Sequence, residues 1–289
     1  MLGSVLAIGS ATAGGVSDFL AGNASRRIGS LQYLFATQAM GLPLAAGFVV
    51  LSGASAPGLA GAILASGAGL ALAFGLGAFF QAMVVGTISI VAPISATGVV
   101  VPIAAGIVRG ERPSALQAIG IAGAVVGIVL VSRARADDAG SSSGSPSGSS
   151  GIESGVWLAL VSAVGSGTFL WLMAPASRQG VAWAILLSRA SPTLACLIAL
   201  LVTRAKVAAL RQPSVAGGLG LCALLGLAAQ TMYSLATRHG QLAIIGVLGS
   251  MFPAVVVLLA YLVLGERIHR AQRLGVATLA VAVVLMSVG

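Results

Sequence analysis

Arg189 lies in AILLSRASPTLA (Ala184–Ala195), a run with no other charged residue. At membrane depth a guanidinium costs on the order of 3 kcal/mol unless it faces water or a partner. The chemistry open to it is attraction of an anionic group, such as a substrate carboxylate, into a cavity that it lines. The competing role is snorkelling, with the head reaching the nearer lipid headgroups. Pro192, one helical turn on, removes a backbone donor beside it. Asp18 is the other isolated charge, because the remaining acids fall within 137–153 or in two GER turns. It could carry a coupling proton or balance Arg189. The alternative is an interfacial acid, solvated or paired with Arg26.

Neutral polar side chains also interrupt the apolar runs: Gln38, Gln81, Thr97, Gln230, Thr231, Tyr233 and Ser250. Beside Arg189, the expected substrate contacts are Gln81, Gln230, Tyr233, Thr97 and Ser250, and Asp18 is the candidate for proton coupling. Buried amides and hydroxyls need partners in any case, so hydrogen bonding between helices competes with substrate contact.

Other chemistries find no residues to carry them. The two histidines, His239 and His269, are 30 residues apart, and no HExxH or GxxxxGK[ST] pattern occurs. No two carboxylates share an apolar run. Cys196 and Cys222 both sit in apolar runs and read as packing residues. An enzyme is not expected, nor a metal or other cofactor.

The elements that must position these residues are membrane helices. Only 7% of residues are charged, 58% are hydrophobic and mean hydropathy is +1.06. A soluble domain carries roughly a quarter charged residues, so lipid is the expected solvent. The net charge of +9 comes from scattered basic residues, which suit lipid headgroups rather than nucleic acid. The partners expected are membrane lipid and a small-molecule substrate, with monomer and homodimer both open. The location expected is the bacterial cytoplasmic membrane.

A span needs about 20 apolar residues. Ten candidates follow: 2–22, 30–52, 58–82, 88–108, 114–132, 154–174, 181–203, 214–236, 241–264 and 270–288. The first continues past signal-peptide length and reads as a retained span. Between the fifth and sixth runs lies ADDAGSSSGSPSGSS (Ala136–Ser150), small and polar, expected to be a flexible extramembrane linker. Five spans on each side of it would reverse the second unit relative to the first. Loop Arg and Lys number four on the side bearing both termini and ten on the other. That bias predicts termini outside and linker in the cytoplasm.

The two units are copies. GERPSALQAIG (Gly110–Gly120) returns as GERIHRAQRLG (Gly265–Gly275), 155 residues on. At that offset Ser95 falls on Ser250, Val100 on Val255, Gln117 on Gln272 and Leu130 on Leu285. In the first copy Ser114 and Gln117 have capping-box spacing, and Glu111 precedes the following helix, whose dipole a negative charge suits. The expected job is a short capped hairpin, with a gating salt bridge through Glu111 or Glu266 as the other role. Gly123 and Gly127 form a GxxxG on the fifth span, expected to pack against the tenth.

These GER turns, each after one span and before a glycine-bearing final span, resemble the repeat signature of the drug/metabolite transporter superfamily, EamA type. GVSDFLAGNASRR (Gly15–Arg27) and LATRHGQLAIIGVLGSMFPAVVVLLAYLVLGE (Leu235–Glu266) are similar to that family's first-helix end and eighth-to-ninth helix stretch. The first copy departs from the second in having Gly98 opposite Pro253, with Pro102 four residues later. The resemblance implies an all-α polytopic membrane protein of ten transmembrane helices, as two inverted five-helix repeats (1–135 and 153–289) joined by a linker at 136–152. It implies a central cavity, with Gln81, Gln230 and Tyr233 on the helices around it, and export of metabolites or drugs by alternating access. A non-transporting membrane scaffold or regulatory subunit is the alternative.

Overall fold

The computed structural model describes residues 2–85, 94–140, 149–204, 213–264 and 270–288. Among these, every regular element is helical. They are α1 (Leu2–Ile28), α2 (Ser30–Ser52), α3 (Leu59–Val85), α4 (Val100–Val108, entered through a 3-10 turn at Thr97–Val99) and α5 (Ala115–Gly140). Then follow α6 (Ser149–Gln179), α7 (Val181–Thr203), α8 (Pro213–Ala236), α9 (Leu242–Gly249), α10 (Phe252–Leu264) and α11 (Arg270–Val288).

Two expected spans, 30–52 and 181–203, coincide with α2 and α7. Each is 23 residues, about 35 Å at 1.5 Å per residue, enough for a hydrocarbon core of about 30 Å. α2 stops at Gly53, whose left-handed φ of 59° lets its N–H reach Val50 O. Five stretches of the described residues are long and apolar enough to cross a bilayer: Ser30–Ser52, Leu59–Phe79, Ser154–Gln179, Val181–Thr203 and Ala216–Ala236. Apolar but shorter are Ile94–Val108, Ala115–Leu130, Leu242–Val256 and Arg273–Met286. Large apolar side chains such as Val50, Leu51, Val108 and Val202 stand fully outward, as a lipid-facing surface requires.

One expectation shifts. The segment 136–150 is not all linker, because α5 continues to Gly140 and α6 begins at Ser149. The second GER turn and His269 lie outside the described residues, as does the expected break at Gly86-Thr87; α3 ends just before it, at Val85.

Most of the extensive packing joins the two halves of the chain. Among the paired helices are α1 with α8, α2 with α7, α3 with α6, α4 with α9, and α5 with α11, and α3 also packs on α7. Exchanging the halves leaves the first five pairings unchanged. The pairs also run antiparallel. Gly61 faces Gln179, Gly67 faces Leu172 and Gly75 faces Gly165. Gly3 meets Ala236, and Ser17 donates to Cys222 O. Gly120 meets Met286 while Gly127 meets Gly275 and Leu279, which is the expected packing of the GxxxG face. Small residues permit these approaches: a Cβ on Gly75 would come within 2.9 Å of the Ser166 backbone nitrogen.

Both halves interrupt a helix at matching places. The 3-10 turn at Thr97–Val99 precedes Pro102, and the α9–α10 break at Ser250-Met251 precedes Pro253. The broken ends interlock, since a Cβ on Gly246 would meet the Pro102 ring at 2.7 Å.

Candidate functional site

α7 places Arg189 three residues before Pro192, the middle of Val181–Thr203. That is about 4.5 Å from the helix midpoint. The side chain is 4% exposed. It does not run along the lipid surface to the headgroups. Its Nη1 donates to Gln38 Oε1 on α2 at 3.1 Å, and its Nε has no hydrogen-bond partner. Gly41, nearly one turn after Gln38, lies against Nη1 and Cζ, and a Cβ there would collide with the guanidinium. On the other side Gly226 of α8 approaches Nη2, where a Cβ would sit at 3.4 Å.

The neighbouring residue extends the cluster. Ser188 Oγ accepts from Gln230 Nε2 at 2.6 Å and donates to Ile185 O at 3.1 Å. Pro192 has no N–H, so the Ser188 carbonyl loses its intrahelical donor. That carbonyl faces Gly69 of α3. Thr193 Oγ1 takes the next carbonyl, donating to Arg189 O at 2.6 Å. Ser191 Oγ donates across to Ser66 O at 2.9 Å. Four helices, two from each half, thus meet around one charge: α2, α3, α7 and α8.

Of the residues expected from sequence to contact substrate, Arg189 and Gln230 come together here. Tyr233 is on the same helix as Gln230 but is 2% exposed, and its hydroxyl donates to Leu170 O at 2.9 Å. Thr97 and Ser250 hold their own interrupted helices, donating to Ile94 O at 2.6 Å and Gly246 O at 2.7 Å. Gln81 is exposed, twelve residues beyond Gly69 on α3 and so about 18 Å along the helix from the cluster. Asp18 is exposed on α1. Its neighbour Ser17 donates to Cys222 O, one turn of α8 before Gly226. Arg189 bonds to Gln38.

Gln38, Gly41, Ser188 and Gly226 are the members that sequence reasoning did not single out. Gln38 was visible as a polar residue in an apolar run, but nothing in the sequence pairs it with Arg189, 151 residues away.

Glu111 also departs from expectation. Its carboxylate does not turn toward the start of α5. Oε1 and Oε2 accept the backbone N–H groups of Leu242 at 2.7 Å and Ala243 at 2.9 Å, at the N-terminus of α9. The capping box is formed as expected: Ser114 N donates to Gln117 Oε1 at 2.9 Å, and Gln117 N donates to Ser114 Oγ at 3.2 Å.

A cavity of about 290 Å³ lies apart from the Arg189 cluster, lined by apolar side chains including Ile8, Leu248, Met251, Val255 and Val283. It offers no charge to a polar solute.

The polar cluster is buried near the middle of α7 and is shared between helices of both halves. The second half matches the family model described as the EamA-like transporter family over residues 153–288. That half is an EamA-like domain. α6 to α11 therefore supply a transporter-family unit, with Arg189 on its second helix. A solved structure described as "Crystal structure of protein" shares the fold of the whole chain, with a TM-score of 0.78 over 98% of this chain and 95% of that one, at 12% identity. That likeness of fold covers both halves of the chain. No curated protein sequence matches the chain.

Proposed function

We propose that this EamA-like chain is a ten-span secondary carrier that exports small organic solutes from a bacterial cell by alternating access. The observation that carries the reading is the Gln38–Arg189–Gly226 arrangement. A charge held at mid-span between helices of both halves is costly for stability alone and is characteristic of substrate paths. The antiparallel pairing of equivalent helices supports two five-helix repeats inserted in opposite senses. The matching interruptions before Pro102 and Pro253 support a pathway between them, because broken helices are tolerated at membrane depth where backbone groups line a cavity.

Arg189 is enclosed, so a solute reaches it when one bundle rocks against the other. Gln38 and Gln230 are the polar contacts nearest to it. Thr97, Tyr233 and Ser250 serve the surrounding helices. Asp18 is the proposed site of proton coupling. Both termini face outward in this reading.

The test is uptake and counterflow in proteoliposomes, using panels of amino acids, organic acids, nucleosides and cationic dyes. A carrier shows saturable exchange of at least one panel member, abolished in Arg189→Ala. Protein that is folded and correctly inserted, yet moves nothing in any panel, would support a scaffold or regulatory subunit instead.

A further inference from the structure

The guanidinium of Arg189 is partnered at Nη1 and has no hydrogen-bond partner at Nε. Nη1 lies on the Cδ side of the group, and that edge is occupied by Gln38 and covered by Gly41. Nε and Nη2 form the opposite edge, the fork that receives two carboxylate oxygens side by side. Nε is buried with no hydrogen-bond partner. Nη2 points toward Gly226, which has no side chain to answer it. Among the described residues, the side chain's hydrogen bond goes to a neutral amide, so its charge is left unbalanced in a buried position.

Unpaired charges of this kind are expensive, and a ligand that supplies the missing partner recovers the cost. We infer that the Nε–Nη2 edge of Arg189 is the recognition site for a small organic carboxylate, gripped through both oxygens, with the rest of the solute lying along Gly226 of α8. This rests on the carrier reading for its biological meaning and narrows it to one substrate class. A cation or a neutral solute would leave the fork unanswered. A planar two-oxygen anion answers it, whereas a spherical halide meets only one donor well.

Thermal unfolding of the purified full-length protein tests this. The ligands are acetate, butyrate, octanoate, benzoate and succinate, each paired with its amide, with chloride as a further arm. Binding to the folded state alone raises the unfolding midpoint. At least one carboxylate should raise it by several degrees, and its amide and chloride should not. Gly226→Ala is the informative variant, because a Cβ there makes ordinary contact with Nη2 and leaves the fold intact. It should abolish the shift without lowering the unliganded midpoint. Arg189→Lys keeps the charge and loses the fork, so affinity should fall about tenfold or more.

The inference is overturned if no carboxylate shifts the midpoint, if amides or chloride shift it equally, or if Gly226→Ala binds carboxylates normally. Saturable flux of other solutes without any carboxylate effect would overturn this substrate class and leave the carrier reading in place. Carboxylate binding with no flux of any solute would leave the site standing and remove the carrier reading.

Discussion

Glu111, just beyond α4 in the first half, closes the N-terminus of a helix in the second half. Its two carboxylate oxygens take the Leu242 and Ala243 N–H groups at 2.7 and 2.9 Å, bridging 131 and 132 residues of chain. A helix start leaves backbone donors without partners and carries partial positive charge. A carboxylate there satisfies both demands, so the GER turn is an inter-half clasp as well as a hairpin.

Glu111→Ala should therefore destabilise the protein by about 2 to 3 kcal/mol, because two charge-assisted bonds to backbone are lost together. Glu111→Gln keeps a neutral acceptor and should cost about half of that. Equilibrium unfolding in detergent reads the difference. Equal stability of all three proteins would remove the clasp.

Gln38 gives Arg189 its hydrogen-bonded partner. Gln38→Leu should cost about 3 kcal/mol, since it leaves a buried cation with nothing to hold it. Arg189→Met in the same chain should recover most of that loss, because an apolar pair needs no partner. A double-mutant cycle on unfolding free energies measures the coupling. Additive effects would mean that the two side chains act independently.

The two glycines flanking the guanidinium should respond in opposite ways. Gly41→Ala forces a Cβ into Arg189 and should destabilise by about 1 to 3 kcal/mol through overpacking. Gly226→Ala has room at 3.4 Å and should be neutral or stabilising by up to about 1 kcal/mol, the helix preference of alanine over glycine. Thermal unfolding midpoints of the two variants, compared with the parent, decide this.

The GxxxG on α5 divides similarly. At Gly127 a Cβ would lie 2.8 Å from Leu279 Cγ and 3.0 Å from Gly275 O, whereas at Gly123 the nearest atom is 3.8 Å away. Gly127→Ala should cost about 1 to 3 kcal/mol and Gly123→Ala nearly nothing. A reversed order of stabilities would contradict the α5–α11 packing.

The helices were largely legible in the sequence as apolar runs of span length, as α2 and α7 show. The Ser114–Gln117 capping box fixes a boundary through local backbone needs, and local needs are written locally. The α5–α11 contact was also legible, since small residues at a spacing of four announce a close-packed face. What stayed hidden was which polar side chains meet across the halves. Glu111 has the right charge for two helix starts, and only the packing of α4 against α9 sends it to the distant one. Tyr233 and Gln230 look alike as polar groups in one helix, yet their different angles about α8 put one into Leu170 and the other beside Ser188. Arg189 was conspicuous alone, but its partner could not be chosen from several equally placed amides.

The central claim is that the Ser188–Arg189 level of the membrane opens to water from both sides in turn. The direct measurement is labelling of Ser188→Cys, with Cys196→Ala and Cys222→Ala removing the native thiols, by a membrane-impermeant thiol reagent. The reagent is applied to one face at a time in sealed vesicles. The account predicts labelling from each face separately, slowed by a ligand that holds the cluster closed. A thiol that reacts from neither face, in protein that is folded and inserted, would contradict it.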